Sequence, residues 1–299
     1  MNKMKTHFAM FLAVMTMLIG ARVLQAEELR VAVYNVENMF DVFDDPYMED
    51  EGTDVKSREE IVQLAKAIRF LDADVVGFAE VENEHVLRAM VQEFLPDMGY
   101  DYIACPMTNS GRGISLGLIS RKPIVKATSY RWQTFTLPGA KRTWKFARDL
   151  THITVQATKE KVMDVFVVHF KSKRDSAGDK QSANWRLAEA TQARKIINQI
   201  YDNDPDAWVV MTGDLNDTPE SPVLKTLTQD GGLVDMHTHL PEEQRITYLN
   251  LPHRSRIDYI LASPALAKKA DKDSAVIVHD KEIIAGSDHA PLAVTFDLD

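Results

Sequence analysis

One cysteine, Cys105, stands in the 299 residues of the chain, so no disulfide can form within it and no zinc site can be built on paired thiolates. Stability must come from buried surface alone, which a chain of this length can supply. Stretches rich in Pro, Gly or Ser are also missing, as is any internal repeat, which leaves no linker at which to divide the chain. Long apolar runs are scarce: the longest, Phe8 to Ile19, falls short of the roughly 20 residues that a membrane-spanning helix needs. With Lys3 and Lys5 before it and Gln25-Ala26 after it, this run reads as a secretory signal peptide, although Leu24 is an imperfect residue near the cut. The expectation is a signal over residues 1–26, one domain over 27–299, and a secreted or periplasmic bacterial protein with no membrane span once the signal is removed.

Basic charge is the other deficit. The formal charge of −9 becomes −12 when the signal takes Lys3, Lys5 and Arg22 with it, a balance that does not draw nucleic acid over long distances. The deficit is uneven. Residues 121–195 hold 17 Lys or Arg against 6 Asp or Glu, a local excess of +11, so a basic face able to take a polyanion is expected there.

What is present is an alternation of strand and helix signals. Leu29 to Val36 alternates apolar and polar as a half-buried strand does, and Asp74 to Glu80 reads as a buried one. Between them Ser57-Arg58-Glu59-Glu60 is a capping box, followed by Ile61, Leu64, Ala65, Ile68 and Leu71 at helical spacing. A second helix is expected over Val86 to Phe94, and a third over Gln181 to Tyr201. Further strands are expected near 100–104, 114–120, 124–130, 151–157, 162–170, 257–262, 275–278 and 292–296. The acidic stretch Asp41 to Asp54 lacks the ordered spacing of a calcium loop and reads as solvated. Strands interleaved with helices point to an α/β fold.

The chemistry concentrates in MTGDLND, residues 211–217, where an apolar run stops at a glycine and delivers Asp214 and Asn216. On an extended segment these two side chains share one side, where they can hold a water and a phosphate oxygen. Taken alone, Asp-x-Asn is equally well read as turn chemistry. Comparable polar groups recur at other strand ends: Tyr34-Asn35-Val36-Glu37-Asn38, Ala79-Glu80-Val81-Glu82-Asn83, His169-Phe170-Lys171-Ser172-Lys173, Arg256-Ile257-Asp258-Tyr259-Ile260 and Ser287-Asp288-His289-Ala290-Pro291.

In this order the six pieces resemble the endonuclease/exonuclease/phosphatase superfamily, of DNase I-like fold. The resemblance implies a four-layer α/β sandwich, two packed mixed β-sheets with helices on the outer faces. It also implies a divalent-metal-dependent phosphodiester hydrolase, with Mg²⁺ or Mn²⁺ as the ion. Glu80 is then the principal metal ligand, preferred over Glu82, with Asn35 beside it to help hold metal or phosphate and Asp288 as a further ligand. His169, Asp214, Asn216, Asp258 and His289 form the catalytic set. Asp258 fixes the tautomer of His289, His169 donates to the phosphate or leaving oxygen, and either Asp214 or His289 is the base. Arg148 and Lys171, with Asn35, are expected to contact phosphate, and Lys173, Arg186 and Trp185 are weaker candidates for that role. His237 and His239 could pair on a metal, but the family pattern does not use them. No counterpart of long inserted helices or basic arms is visible, nor an exposed aromatic hairpin directed at lipid. Non-specific cleavage of DNA or RNA is the expected activity, with a phospholipid head group, sphingomyelin or small phosphate ester as the alternative substrate and no obligate protein partner.

Overall fold

The computed structural model describes residues 27–43, 45–50, 52–176 and 178–299, so the expected signal peptide lies outside the described residues, as do Asp44 and Glu51 of the acidic stretch and Ala177. Among the described residues, twelve strands form two six-stranded sheets. The first contains β1 (Glu28–Met39), β2 (Val75–Val81), β3 (Tyr102–Ala104), β4 (Ser115–Ser120), β11 (Ala270–Ile277) and β12 (Leu292–Asp297), in the order β11-β12-β1-β2-β4-β3. The second contains β5 (Ile124–Ser129), β6 (Leu150–Gln156), β7 (Val162–His169), β8 (Trp208–Asp214), β9 (Val234–Asp235) and β10 (Asp258–Ala262), in the order β5-β6-β7-β8-β10-β9. Each sheet is mixed, with one parallel pair at its centre, β1 with β2 and β7 with β8.

Strand alternation sorts the side chains into three cores. Val31 and Val33 of β1, Met163, Val165 and Val167 of β7, Val210 of β8 and Ile260 of β10 meet between the sheets. The residues between them point outward: Ala32 and Tyr34 pack under α1 (Arg58–Leu71) and α2 (Glu84–Phe94). Phe166, Val168, Val209 and Met211 pack under α3 (Ala183–Asn203) and α4 (Pro222–Thr228). A short fifth helix, α5 (Pro264–Ala267), follows β10. The result is the layered sandwich of two mixed sheets with helices outside that the resemblance implies.

Local signals hold where they carry a mechanism. The capping box closes: Ser57 Oγ accepts from Glu60 N at 3.3 Å while Glu60 Oε2 accepts from Ser57 N at 2.8 Å. Two boundaries move for backbone reasons. The third helix starts at Ala183 rather than Gln181, because Gln181 and Ser182 hold φ of 52° and 49° and first make a 3₁₀ turn. Strand β11 starts at Ala270, earlier than the expected 275, because Ala270 and Asp271 already pair with β12 ahead of a register shift. An aromatic hairpin, unexpected from the sequence, closes between β5 and β6, where Phe135 and Trp144 exchange both backbone bonds at 2.9 and 2.8 Å.

Gly213 is the residue that lets β8 lie against β7 where both deliver their polar ends. Its φ is 136°, and a Cβ placed on it would meet the Val168 carbonyl oxygen at 2.0 Å. Backbone cannot yield as a side-chain tip can. Gly213→Ala is expected to destabilise the protein by at least about 3 kcal/mol, read as a large fall in the urea midpoint.

A candidate active site at the strand ends

The inward positions that carry valine and isoleucine through the core become polar at the same end of four strands. Continuing from Val31 and Val33, β1 presents Asn35; from Val165 and Val167, β7 presents His169; β8 presents Asp214 and β10 presents Asp258. His169 pairs in register with Asp214, and Asp214 with Asp258, so three of these residues stand side by side across one sheet. Asn35 reaches them from the opposite sheet: its Nδ2 donates to Asp214 Oδ2 at 3.2 Å and lies 3.4 Å from His289 Nε2. All four are buried, with exposures of 1–3 %.

Glu80 arrives by a different route. Plain alternation would put it on the helix side with Val76 and Phe78. The register slips between Ala79 and Val81, and Glu80 takes a φ of 64°, which turns its carboxylate to the inner side. Its Oε1 stands 3.8 Å from His169 Nε2, and Oε2 accepts from Asn38 N at 3.2 Å. Glu82, the rival ligand, accepts from Asp41 N at 2.8 Å and faces another depression of the surface.

The loop before β12 is tied to β1 through Ser287, whose Oγ donates to the Asn35 carbonyl at 2.7 Å and accepts from His289 N at 3.0 Å. That places His289 Nδ1 at 2.8 Å from Asp258 Oδ2, with the Tyr248 ring 5.1 Å from the imidazole centroid. Asp288 N donates to Glu37 Oε2 at 2.9 Å, and its carboxylate accepts from Asn250 Nδ2 at 2.8 Å.

Asn216 joins the same cleft, but not by strand alternation. β8 ends at Asp214, and Asn216 is reached through a turn with φ of 51° in which its backbone N donates to Asp214 Oδ1 at 2.7 Å. Its side-chain amide donates to the Phe170 carbonyl at 3.0 Å. Both halves of the sequence reading of Asp-x-Asn therefore apply, with the turn fixing the acid.

The electrostatics divide the groups. Burial, reinforced by the neighbouring Asp258 and Glu80, lifts the Asp214 carboxyl to about 7. Burial works against a charged His289, yet Asp258, Asp214 and Asp288 outweigh it and raise the imidazole to about 10. His169 goes the other way, held well below its usual range by burial and then by Arg148, His289, Arg112 and Lys171, so it is neutral. Burial and the nearby Glu37 and Glu80 carboxylates raise Asp288 to about 6.

Glu80, His169, Asp214, Asn216, Asp288 and His289 line a cleft of about 970 Å³, whose walls also include Arg112, Arg148, Lys171, Lys173, Arg174 and Arg254; Asn35 and Asp258 stand behind that wall. The basic segment is thus only partly one face. Lys161 lies at the far end of the sheets, donating to the Asp206 carbonyl and capping the Trp208 ring. Arg112, Glu37 and Tyr248 were not anticipated; the Gly111-Arg112-Gly113 turn was the only local hint of the first. Arg186 is buried and structural, bonding Asp217 Oδ2 and the carbonyls of Lys171 and Gln181. His237 and His239 do not converge: His237 is core, with Nε2 against the Ala293 carbonyl, while the exposed His239 contacts the Lys272 carbonyl.

Glu189 is a further residue that the sequence reading passed over. It is fully buried on α3, and its two oxygens accept from Ala147 N at 2.7 Å and Lys171 N at 2.8 Å. Those bonds staple together the two loops that carry Arg148 and Lys171. Glu189→Gln sets an amide N–H against one of these donors. The expected cost is about 1–3 kcal/mol, with a raised KM for phosphodiesters, and both are measurable by denaturation and steady-state kinetics.

The model of the Endonuclease/Exonuclease/phosphatase family matches residues 30–285. The chain belongs to that family. No curated protein sequence matches it significantly. Among solved structures, it resembles truncated TDP2 from Caenorhabditis elegans with a TM-score of 0.62 at 16% identity, over 90% of this chain and 98% of that one. The catalytic domain of human Nocturnin with bound sulfate gives 0.63 at 17%, over 91% and 94%. A family protein from Bacteroides thetaiotaomicron gives 0.57 at 19%, over 92% and 100%. At such identities the likeness is one of fold, and it agrees with the two-sheet sandwich.

Members of the family are hydrolases of phosphoester bonds, and they typically use divalent metals. Two donor sets lie in this cleft. Asp214, Asp258 and His289 bring ligand atoms within 4.8 Å of one another, and all three are buried. Glu80, Asp288 and Glu37 line the same cleft as a more open set, whose oxygens do not draw that close to one another.

Proposed function

We propose that the protein is a divalent-cation-dependent phosphodiester hydrolase acting on DNA or RNA with little sequence preference, exported after loss of residues 1–26. The observation that carries the chemistry is the convergence of Asn35, His169, Asp214 and Asp258 at the ends of four strands, beside Glu80 and His289. For the ion, the open set fits a hard cation better than the closed one. In the closed set the nitrogen of His289 already engages Asp258, and its positive charge balances the carboxylates. In the open set the like charges of Glu37 and Glu80 push on Asp288, a repulsion that a cation relieves. Glu80 would hold Mg²⁺ or Mn²⁺, with Asp288 in support. When bound, the ion supplies a Lewis acid that polarises a phosphoryl oxygen.

The chain's own groups do the rest. Asn35 accepts from Glu37 N at 3.1 Å through Oδ1 and donates to Asp214 Oδ2 at 3.2 Å through Nδ2, which leaves one N–H of the amide as a donor suited to phosphate. Asp214, anionic above about 7 and oriented by Asn35 and Asn216, takes the proton from the attacking water. The His289 imidazolium, held by Asp258, donates to a phosphoryl oxygen as charge builds there. Neutral His169, with Nε2 3.5 Å from Asp214 Oδ2, donates to the departing oxygen. Arg148, whose Nη1 bonds the Phe170 carbonyl at 3.0 Å, and Lys171 neutralise the flanking phosphates.

Plasmid DNA, RNA, sphingomyelin and bis(4-nitrophenyl) phosphate, each with Mg²⁺, Mn²⁺ or chelator, test this reading. Cleavage of the nucleic acids and the chromogenic diester that stops with chelator is expected. Release of phosphocholine or inorganic phosphate with intact nucleic acid would move the same site to a lipid or small-ester substrate. Activity that survives chelator would refute the metal requirement.

A further inference from the structure

The hairpin Tyr130 to Arg148, between β5 and β6, holds five basic residues, Arg131, Lys141, Arg142, Lys145 and Arg148, and no acid, on a chain whose formal charge is −9. Two of the four tryptophans, Trp132 and Trp144, lie within it, and a third, Trp185, begins α3 beside it. The side chains interleave. Starting at the cleft, Lys171 Nζ lies 5.6 Å from the Trp185 ring centroid, and Arg142 lies 5.7 Å from the same ring. Trp185 Nε1 donates to the Lys145 carbonyl at 2.8 Å, and Lys145 Nζ in turn lies 5.1 Å from the Trp132 ring. Arg131 stacks on that ring at 4.5 Å, and its Nη1 donates to the Thr108 carbonyl. The hairpin stands on a buried foot of Phe135, Trp144 and Phe146, so it is a fixed platform. Trp132 alone among its aromatics is strongly exposed, at 68 %.

We propose that this platform is a track that binds single-stranded nucleic acid and feeds it into the cleft. The inference rests on the hydrolase reading and names the form of its substrate. Alternating cations and aromatic faces suit a chain that alternates phosphates and bases, because cations track the backbone and rings stack on bases whatever the sequence. A duplex keeps its bases paired and presents none to Trp132. A lipid surface is the poorer match, since interfacial insertion needs an apolar face and only one ring of this hairpin is out in solvent.

The test is fluorescence anisotropy of a labelled 20-mer oligothymidylate and of a duplex of the same length, both with chelator so that nothing is cleaved. The unmodified protein is expected to bind the single strand more tightly. Trp132→Ala should weaken that binding at least fivefold, and Trp132→Phe should restore most of it. Lys145→Gln should flatten the salt dependence of binding. Melting curves of each variant verify folding. Equal affinity of Trp132→Ala and the unmodified protein would overturn the proposal, as would tighter binding to duplex or to anionic phospholipid vesicles. Hydrolysis of bis(4-nitrophenyl) phosphate by the unmodified protein is measured in parallel. Its failure would count against the hydrolase reading, whereas loss of oligonucleotide binding alone would count against the track.

Discussion

Alanine at His289 is expected to lower kcat for bis(4-nitrophenyl) phosphate by about 10³-fold, because it removes a charged donor from a buried site where water cannot substitute for it. The imidazole is 6 % exposed and held at 2.8 Å by Asp258, so its orientation is set before substrate arrives. Asp258→Asn should produce a loss of similar order. The amide keeps the shape but removes the charge that overcomes burial and sustains the imidazolium. Because the two residues act as one unit, the double variant should be little worse than either single. Competent enzyme needs Asp214 deprotonated and His289 protonated. Activity should therefore rise with pH toward about 7 and decline as pH approaches about 10. Glu80 contributes to raising Asp214, and a cation beside Glu80 offsets that push, so the rising limb should move to lower pH as Mg²⁺ is increased. A kcat within a factor of 3 of the parent in His289→Ala would remove this residue from the chemistry.

Glu80→Gln carries the second large effect. The substitution keeps the left-handed backbone demand and nearly the same volume, and it retains an acceptor for Asn38 N, so the fold should persist. What it loses is the formal charge that a hard cation requires. Calorimetric titration with Mn²⁺ should show binding to the parent and at least tenfold weaker binding to the variant. Hydrolysis at fixed Mg²⁺ should drop by about 10²-fold or more, recovering in part as the metal is raised. Unchanged Mn²⁺ affinity would place the ion elsewhere in the cleft, the Asp214, Asp258 and His289 set being the first alternative.

The fold was legible in the sequence wherever a period and a boundary signal agreed. Leu64, Ile68 and Leu71 behind the Ser57 capping box gave α1 to within a residue, and the apolar runs ending at His169 and Asp214 gave β7 and β8. β9 was not legible, because two residues carry no period. The polar strand ends were recognisable as a set through their order along the chain, since no single one is decisive and Asp-x-Asn alone reads equally well as a turn. Glu80 shows where pattern reasoning reaches its limit. Strict alternation sends it to the helix side, and only the slipped register and positive φ bring it to His169. Glu189 and Arg112 escaped for a related reason. Their value lies in what the tertiary structure sets beside them, the loops of Ala147 and Lys171 for one and the cleft wall for the other.

A crystal grown with Mn²⁺ and a thymidine 5′-phosphate product tests the central claim most directly, by the anomalous signal of the metal and the density of the phosphate. A manganese peak beside Glu80 is expected, with the phosphate between it and the donors of Asn35, His169 and His289. A peak lodged among Asp214, Asp258 and His289 with Glu80 unligated, or a phosphate bound outside the cleft, would contradict it.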